Sequence, residues 1–460
     1  MRNEIFEKTS RIEAPIEEVF QWHARIGAIE RYSPPWDPIK VLYRTGGIEK
    51  DAEVVIRMKA GPIPYRWHAR HTDYEENRIF RDRQLRGPFS EWIHTHEFEP
   101  DGSSACFVRD LIQYRLFPHP LRESFSYKLI DNKLSAIFAY RHRTLKHDLR
   151  VQLGFEDRKP QTVLISGASG LIGSALIPFL TTAGHKVLRL VRYQPQYEDE
   201  VFWDPNLFQI DAEGIEGVDS IIHLAGENIG NGRWSENKKE KILSSRIKGT
   251  RLIAETISKM KKPPKVFLSA SAIGYYGDRG DRELRENDTY GKNFIAEVCR
   301  GWEETASVAQ QSGIRTVMLR IGVVFDPRGG ALERSLLGSK IGIKAGIASG
   351  KHYVSWIGLN DTIDAIYHAM FDSSIEGPLN IVAPTPVTSD TLSEQLARVA
   401  GGKLKFNIPE SFIRLAFGQK GEEVLLSSVR VLPEKLVNSG FDFRHGTLPE
   451  LLHHVLGKEN

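Results

Sequence analysis

The sequence of 460 residues contains only two cysteines, Cys106 and Cys299. Two thiols so far apart make neither a disulfide framework nor a metal-ligand cluster, and their scarcity suits a reducing compartment. Charge of one sign is also missing: 62 Lys and Arg stand against 59 Asp and Glu, a net charge of +3. The two signs are interspersed, which excludes an extended basic face for nucleic acid. The short run 238–241 (KKEK) reads as a solvated helix face. No stretch of about 18 apolar residues occurs, so no membrane span is expected. The opening MRNEIFEKTSRIEAP lacks the apolar core of a signal peptide. Internal repeats and low-complexity tracts are absent too. Together these absences point to a soluble cytoplasmic protein.

What is present divides into three parts. Residues 1–155 alternate like strands at 6–12, 39–43, 53–59, 65–74, 79–84, 92–99 and 105–114. A short amphipathic helix is expected at 15–28 and a long one at 124–150. Helix, consecutive strands, then a long helix argue for an α+β domain with an antiparallel sheet curled round a helix. The polar, proline-containing stretch 155–161 reads as a boundary. Residues 161–385 have a different pattern, with apolar runs at 162–166, 186–192, 220–224, 265–269 and 315–321 separated by helical segments. Such runs predict an α/β fold, a parallel sheet covered on both faces. Residues 386–460 form a small helical segment, clearest at 391–400 and 427–436.

The strand at 162–166 runs directly into Gly167-Ala-Ser169-Gly170-Leu171-Ile172-Gly173, and a helical pattern follows. Glycine without Cβ allows the tight turn at Gly167, backbone approach to a pyrophosphate at Gly170, and close helix–strand packing at Gly173. The helix N-terminus then faces the phosphates. The alternative is an ordinary strand-to-helix turn. The next strand ends at Arg192, where an NAD site usually offers Asp or Glu; a guanidinium suits a 2′-phosphate. The expected cofactor is NADP(H) in preference to NAD(H), with a solvated strand-end arginine as the alternative.

These motifs, with His223-Leu224-Ala225-Gly226 and 269–277 (SASAIGYYG), resemble the extended short-chain dehydrogenase/reductase superfamily with its NAD(P)-binding Rossmann fold. More narrowly they resemble its epimerase family proteins of unassigned substrate. Glu227-Asn228-Ile229, Arg233-Trp234, Trp302-Glu303, Arg320-Ile-Gly-Val-Val324, Gly329-Gly330 and Ser355-Trp356-Ile357 carry the same resemblance, and the tail resembles that subgroup's C-terminal extension. Residues 1–155 resemble START-like, polyketide-cyclase-like helix-grip domains. The resemblance implies that Gly167, Ser169, Gly170, Leu171, Ile172 and Gly173 hold the pyrophosphate and Arg192 the adenosine phosphate. It implies that Leu224, Ala225 and Gly226 line the adenine side and that Ala270 and Ser271 lie near the nicotinamide ribose. A homodimer is expected by analogy with the superfamily.

The superfamily's chemistry uses Ser or Thr with Tyr and Lys in the spacing YxxxK, the lysine lowering a phenol pKa from about 10. Ser271 fits the serine, but no YxxxK follows it. Tyr290-Gly-Lys292-Asn-Phe294 is the nearest candidate, and Phe294 fills the lysine slot. The candidate catalytic residues are therefore Ser271, Tyr276 and Tyr290, with Tyr275 beside them; packing of the pocket wall is the alternative for the tyrosines. Asn228, Arg246 and Trp356 are the candidate substrate contacts. Arg246 stands where many relatives carry Asn, and its alternative is a surface salt bridge. Asp361 is expected to cap a helix.

The first domain is rich in aromatics, mostly core, and its resemblance implies a cavity for an apolar ligand. His68, His71, His94 and His96 recur at alternating positions, which puts pairs on one strand face, but accompanying Cys or carboxylate ligands are not obvious, so no metal site is expected. The leading expectation is an NADP(H)-dependent oxidoreductase or epimerase acting on an unidentified small molecule. The alternative is a non-catalytic NADP(H)-binding regulator or sensor.

Overall fold

The computed structural model describes residues 4–458 apart from 62, 118–122, 156–158, 341–342 and 402–403. Part of the expected boundary at 155–161 thus lies outside the described residues. The chain folds as two compact units. One comprises Met1–Arg158 with Pro178–Gly184, the other Lys159–Ile177 with His185–Lys458.

The first unit is an antiparallel sheet over a long helix. Strands β1 (Glu4–Ile12), β2 (Lys40–Thr45), β3 (Glu53–Ala60), β4 (Ile63–Glu75), β5 (Ile79–Arg86), β6 (Phe89–Pro100) and β7 (Cys106–Leu116) stand in the order β1-β7-β6-β5-β4-β3-β2. Helices α1 (Ile16–Ala24), α2 (Ala28–Arg31) and α3 (Glu123–Gln152) complete it. On β7 every second residue from Cys106 to Tyr114 is buried, the period-two pattern of a sheet with one covered face. α1 ends four residues before the expected 28, because Arg25 turns to extended backbone, and Gly27, at φ +107°, then precedes α2. Two apolar cores form under the sheet. One holds Phe20, Trp22, Phe80, Phe98, Leu145 and Leu149. The other holds Trp92, Ile112, Tyr114, Leu134, Ile137 and Phe138.

The second unit is a doubly wound sheet. It begins β8 (Thr162–Ser166), α4 (Leu171–Thr182, of which Leu171–Ile177 belong to this unit), β9 (Lys186–Val191), β10 (Glu200–Asp204), β11 (Gln209–Ile210), β12 (Ser220–His223) and α5 (Glu236–Ile257). It continues with β13 (Val266–Ala272), β14 (Glu283–Leu284), α6 (Phe294–Gln311) and β15 (Arg315–Ile321). Then come β16 (Val323–Asp326), α7 (Gly330–Lys340), β17 (Ile343–Ile347), β18 (Tyr353–Val354), β19 (Trp356–Gly358), α8 (Leu359–Phe371) and β20 (Gly377–Ile381). The main sheet runs β11-β10-β9-β8-β12-β13-β15-β20, parallel except for β11. β8, β12 and β13 are buried along nearly their whole length, as strands covered on both faces must be. The order reverses between β8 and β12, which opens a crevice at their carboxyl ends. β10 and β20 add to the strands expected from the sequence; both are short, and β20 is headed by Gly377-Pro378.

The tail adds β21 (Val387–Thr388), α9 (Ser389–Ala400), β22 (Leu404–Ile408), α10 (Glu410–Phe417), β23 (Arg430–Val431), α11 (Glu434–Asn438) and α12 (Leu448–Leu456) to the second unit. Leu448, Leu451, Leu452 and Val455 of α12 share a core with Phe325, Leu336 and Trp356. Of the helix expected at 427–436 only 434–436 form, as part of α11. Before it β23 is extended and pairs with β14, and the Val431 N–H donates to Ser355 Oγ at 2.8 Å. Pro433 then enforces the break before α11. Asp361 is also not the cap expected: Gly358 precedes α8, and Asp361 sits in the first turn accepting the Arg444 N–H at 2.6 Å.

Candidate functional site

The crevice between β8 and β12 is built from backbone. Gly167 has φ +74°, and a Cβ there would lie 2.8 Å from the Leu224 carbonyl carbon. A Cβ at Gly173 would meet the Gly167 oxygen at 2.3 Å. These two glycines let α4 and the loop after β12 close on β8. Gly170 differs: it is exposed, and a Cβ there would touch only the Gly167 oxygen, at 3.3 Å. The open space is the room a pyrophosphate needs at the N-terminus of α4, so the loop fits a dinucleotide. Ser169 is exposed beside it, and Leu171 and Ile172 are half-buried. Leu171 reaches across to Gly329, where a Cβ would approach it at 3.4 Å.

A buried pair absent from the residues expected in this site holds the loop. Ser166 Oγ and His223 Nδ1 are 2.5 Å apart. The same oxygen accepts from the N–H groups of Leu224 and Ala225 at 3.2 and 3.3 Å. The hydroxyl therefore donates to Nδ1 of a neutral imidazole. Burial, and then the charge of Arg246, push the His223 pKa down to about 3. Arg192 is exposed at the end of β9 with no acidic partner among the described residues. Ala270 is buried in β13.

Next to the crevice, β13, β15 and β20 align Ser271, Arg320 and Asn380 in one cross-strand row. Ser271 Oγ donates to Glu303 Oε1 at 2.7 Å. Arg320 binds both oxygens of Glu303, through Nε at 2.9 Å and Nη2 at 2.8 Å. Its Nη1 donates to the Tyr276 hydroxyl at 2.9 Å and to the Glu286 carbonyl at 3.0 Å. The Tyr276 hydroxyl donates onward to Asn380 Oδ1 at 2.7 Å. Tyr276 has no exposed surface, and burial outweighs Arg320 to push its pKa up to about 12. Tyr275 lies with its ring 3.6 Å from the Arg320 guanidinium carbon and 6.1 Å from the ring of Tyr290.

Tyr290 is different. It is 43% exposed and precedes α6 rather than lying within it. Its hydroxyl accepts from Arg300 Nη1 at 3.2 Å, so its own proton is free to be donated. Phe294, in the lysine slot, packs edge-on against Trp234 at 5.4 Å. Glu423, from the tail, accepts the Phe294 and Ile295 N–H groups at 3.3 and 3.0 Å, a carboxylate on the N-terminus of α6.

The three expected substrate contacts separate. Asn228 is exposed and uses Oδ1 to accept the Gly230 N–H at 2.8 Å. Among the described residues Arg246 makes no salt bridge; it donates to the Glu227 and Ile242 carbonyls at 3.1 and 3.0 Å and stacks over Trp302 at 4.8 Å. Trp356 is fully buried, bonded through Nε1 to the Thr385 carbonyl at 2.9 Å and stacked on Phe325, so it faces core rather than solvent.

In the first unit, where most aromatics are expected in the core, Phe20, Trp22, Phe80 and Phe98 fill one apolar core and Trp92 the other, with Trp67 and Phe89 packed against the second. The expectation that the histidines have no carboxylate near them is corrected: Asp82 and Asp110, distant in sequence, meet His94 and His96. His68 instead pairs with Glu53 at 2.8 Å.

Comparison with known proteins bears on both units. Residues 163–381 match the NAD dependent epimerase/dehydratase family, 408–455 a domain of unknown function, and 12–138 a family described as polyketide cyclase / dehydrase and lipid transport. An epimerase family protein of Mycobacterium bovis is 38% identical over 290 residues, covering 63% of this chain and 96% of that protein. A human epimerase family protein is 31% identical over 292 residues, covering 63% and 96%. A Corynebacterium glutamicum structure described as a nucleoside-diphosphate sugar epimerase superposes with a TM-score of 0.80 at 31% identity, over 99% of this chain and 90% of that one. A structure of the human epimerase family protein with NADPH gives a TM-score of 0.60 at 29% identity, over 64% and 99%.

Proposed function

Because the chain belongs to the epimerase family of these relatives, we propose that its second unit binds NADP(H) and oxidises or reduces a small hydroxyl- or carbonyl-bearing substrate. The bound nicotinamide supplies hydride chemistry. The observation that carries the NADP(H) preference is Arg192, exposed at the β9 end with no acidic partner among the described residues and no acidic side chain in the place that binds a ribose hydroxyl. NADPH in the human relative's structure supports the same reading.

The chain's own residues divide the remaining work. Gly167, Gly170 and Gly173 shape the phosphate cradle, and the Ser166–His223 pair holds Leu224 and Ala225 against it. Arg246 fixes the following loop through the Glu227 carbonyl. Ser271, Glu303, Arg320 and Tyr276 form a rigid wall. Tyr290 is the proton donor or acceptor at the substrate oxygen, its hydroxyl oriented by the hydrogen bond from Arg300 Nη1. One observation favours a second reading, a non-catalytic NADP(H) sensor: the lysine slot is filled by Phe294, committed to packing.

Calorimetry of the full chain with NADPH and NADH tests the cofactor. Arg192→Ala is expected to weaken NADPH by about 1.5–3 kcal/mol, the worth of a charge-assisted hydrogen bond, and to leave NADH unchanged. Equal losses for both nucleotides would remove Arg192 from the specificity argument.

A further inference from the structure

The first unit buries a polar cluster that the nucleotide chemistry of the second does not use. Asp82 lies on β5, His94 and His96 on β6, Asp110 on β7 and His142 on α3. His94 and His96, two apart on one strand, share a face. Register places His94 beside Asp82 and His96 beside Asp110. The cluster forms a polar layer between the two apolar cores, with the His96 ring stacked on Phe80 at 4.0 Å and the His94 ring edge-on to Phe138 at 5.4 Å.

The nitrogens are sorted by Asp110. His94 Nε2 donates to Asp110 Oδ1 at 2.9 Å, leaving Nδ1 turned to Asp82 Oδ2 at 3.5 Å. His96 Nδ1 lies 2.7 Å from the same Asp110 oxygen, off the direction of a hydrogen bond, and its Nε2 is 3.9 Å from Asp82 Oδ2. The other oxygen of Asp110 accepts from His142 Nε2 at 2.6 Å. One carboxylate, itself anchored, thus presents a nitrogen of each imidazole to a second carboxylate. That is the orientation outer-shell carboxylates impose on metal-binding histidines. One ligand atom from each of Asp82, His94 and His96 lies within 4.8 Å of the others. Two ligands on tetrahedral zinc, with bonds of about 2.0–2.1 Å, stand about 3.3 Å apart, close to the separations from Asp82.

We propose that Asp82, His94 and His96 bind a divalent transition-metal ion, zinc first among them, with Asp110 and His142 as the positioning residues. Two imidazoles and one carboxylate are a borderline donor set suited to Zn²⁺. Three protein ligands leave a position open, and Asp82, 16% exposed at its side chain, marks the side from which it is reached. His71, paired with Asp82 across β4 and β5, keeps Nδ1 buried without a hydrogen-bond partner and stands outside the three ligands.

The competing occupant is a proton. Burial pulls the His94 pKa down, but its hydrogen bonds to Asp110 and Asp82 outweigh burial and hold it at about 9, so a protonated His94 would bridge the two carboxylates without a metal. Chelator-treated full-length protein titrated with Co²⁺, read by visible ligand-field absorption, and with Zn²⁺ by calorimetry, separates the two. One tight site per chain with cobalt bands is expected. Asp82→Asn, isosteric and at the rim, should abolish the bands while the far-ultraviolet dichroism stays native. Asp110→Asn should weaken Zn²⁺ about 10–100-fold, as loss of an outer-shell partner does. Absence of bands, or binding that Asp82→Asn leaves intact, would overturn the site.

Discussion

Each unit buries a cluster of ionisable side chains, and the two clusters end differently. In the second unit the chain Ser271–Glu303–Arg320–Tyr276–Asn380 is closed: the guanidinium uses Nε, Nη1 and Nη2, and the phenol both accepts and donates. In the first unit His94 Nδ1 and His96 Nε2 face Asp82 Oδ2 at 3.5 and 3.9 Å, longer than a hydrogen bond. A closed network resists change and serves as scaffold, whereas an open one has capacity for a ligand. The proposed proton transfer therefore uses the exposed Tyr290 beside the network rather than the tyrosine locked inside it.

The largest expected effect breaks the closed network. Arg320→Met leaves the Glu303 carboxylate without its bidentate cation in a buried setting, a loss of about 3–5 kcal/mol. Urea denaturation of the full chain measures it; a change below about 1 kcal/mol would show that water already reaches Glu303.

The tyrosine pair sharpens the contrast between scaffold and reacting group. Tyr290→Phe should lower turnover about 10²–10⁴-fold with stability shifted by no more than about 0.5 kcal/mol. Tyr276→Phe should do the reverse, costing about 1–3 kcal/mol through the unsatisfied Arg320 and Asn380 groups. Loss of turnover with only Tyr276→Phe would move the proton transfer into the network.

A further contrast is read against pH. His223 is neutral in the folded chain with its pKa pushed down to about 3 by burial and then Arg246, while in the unfolded chain it titrates near 6.5. Below pH about 6.5 the unfolded state takes up a proton that the folded state refuses. This contribution is therefore intact above that pH and is lost progressively as pH falls toward 3. His223→Gln should flatten the fall of the urea midpoint between pH 7 and 4, relative to the native chain; identical slopes would mean that other groups set acid stability.

Much of this is legible in the sequence because it is local. The strand before Gly167, the glycine spacing and the helix after it are neighbours in the chain, and backbone conformation there follows from residue type. The strands of the first unit are visible for the same reason, since alternation is read from consecutive residues. The segment at 427–436 misleads because its apolar spacing suits a helix, while its backbone groups are taken by Ser355 and β14. Glu423 on the N-terminus of α6 could not be foreseen, because it comes from far along the chain.

Residue order along the chain was enough to show the two architectures, the phosphate loop, the basic Arg192 and Phe294 in the lysine's place. The tertiary structure alone decided which hydroxyl is reachable, that Glu303 and Arg320 close on Ser271, and that Asp82 and Asp110 join His94 and His96. The physical reason is register. Which side chains share a face is written in neighbouring residues, but which of them meet across β5, β6 and β7, or across β13, β15 and β20, is set by hydrogen-bonded pairing between distant strands.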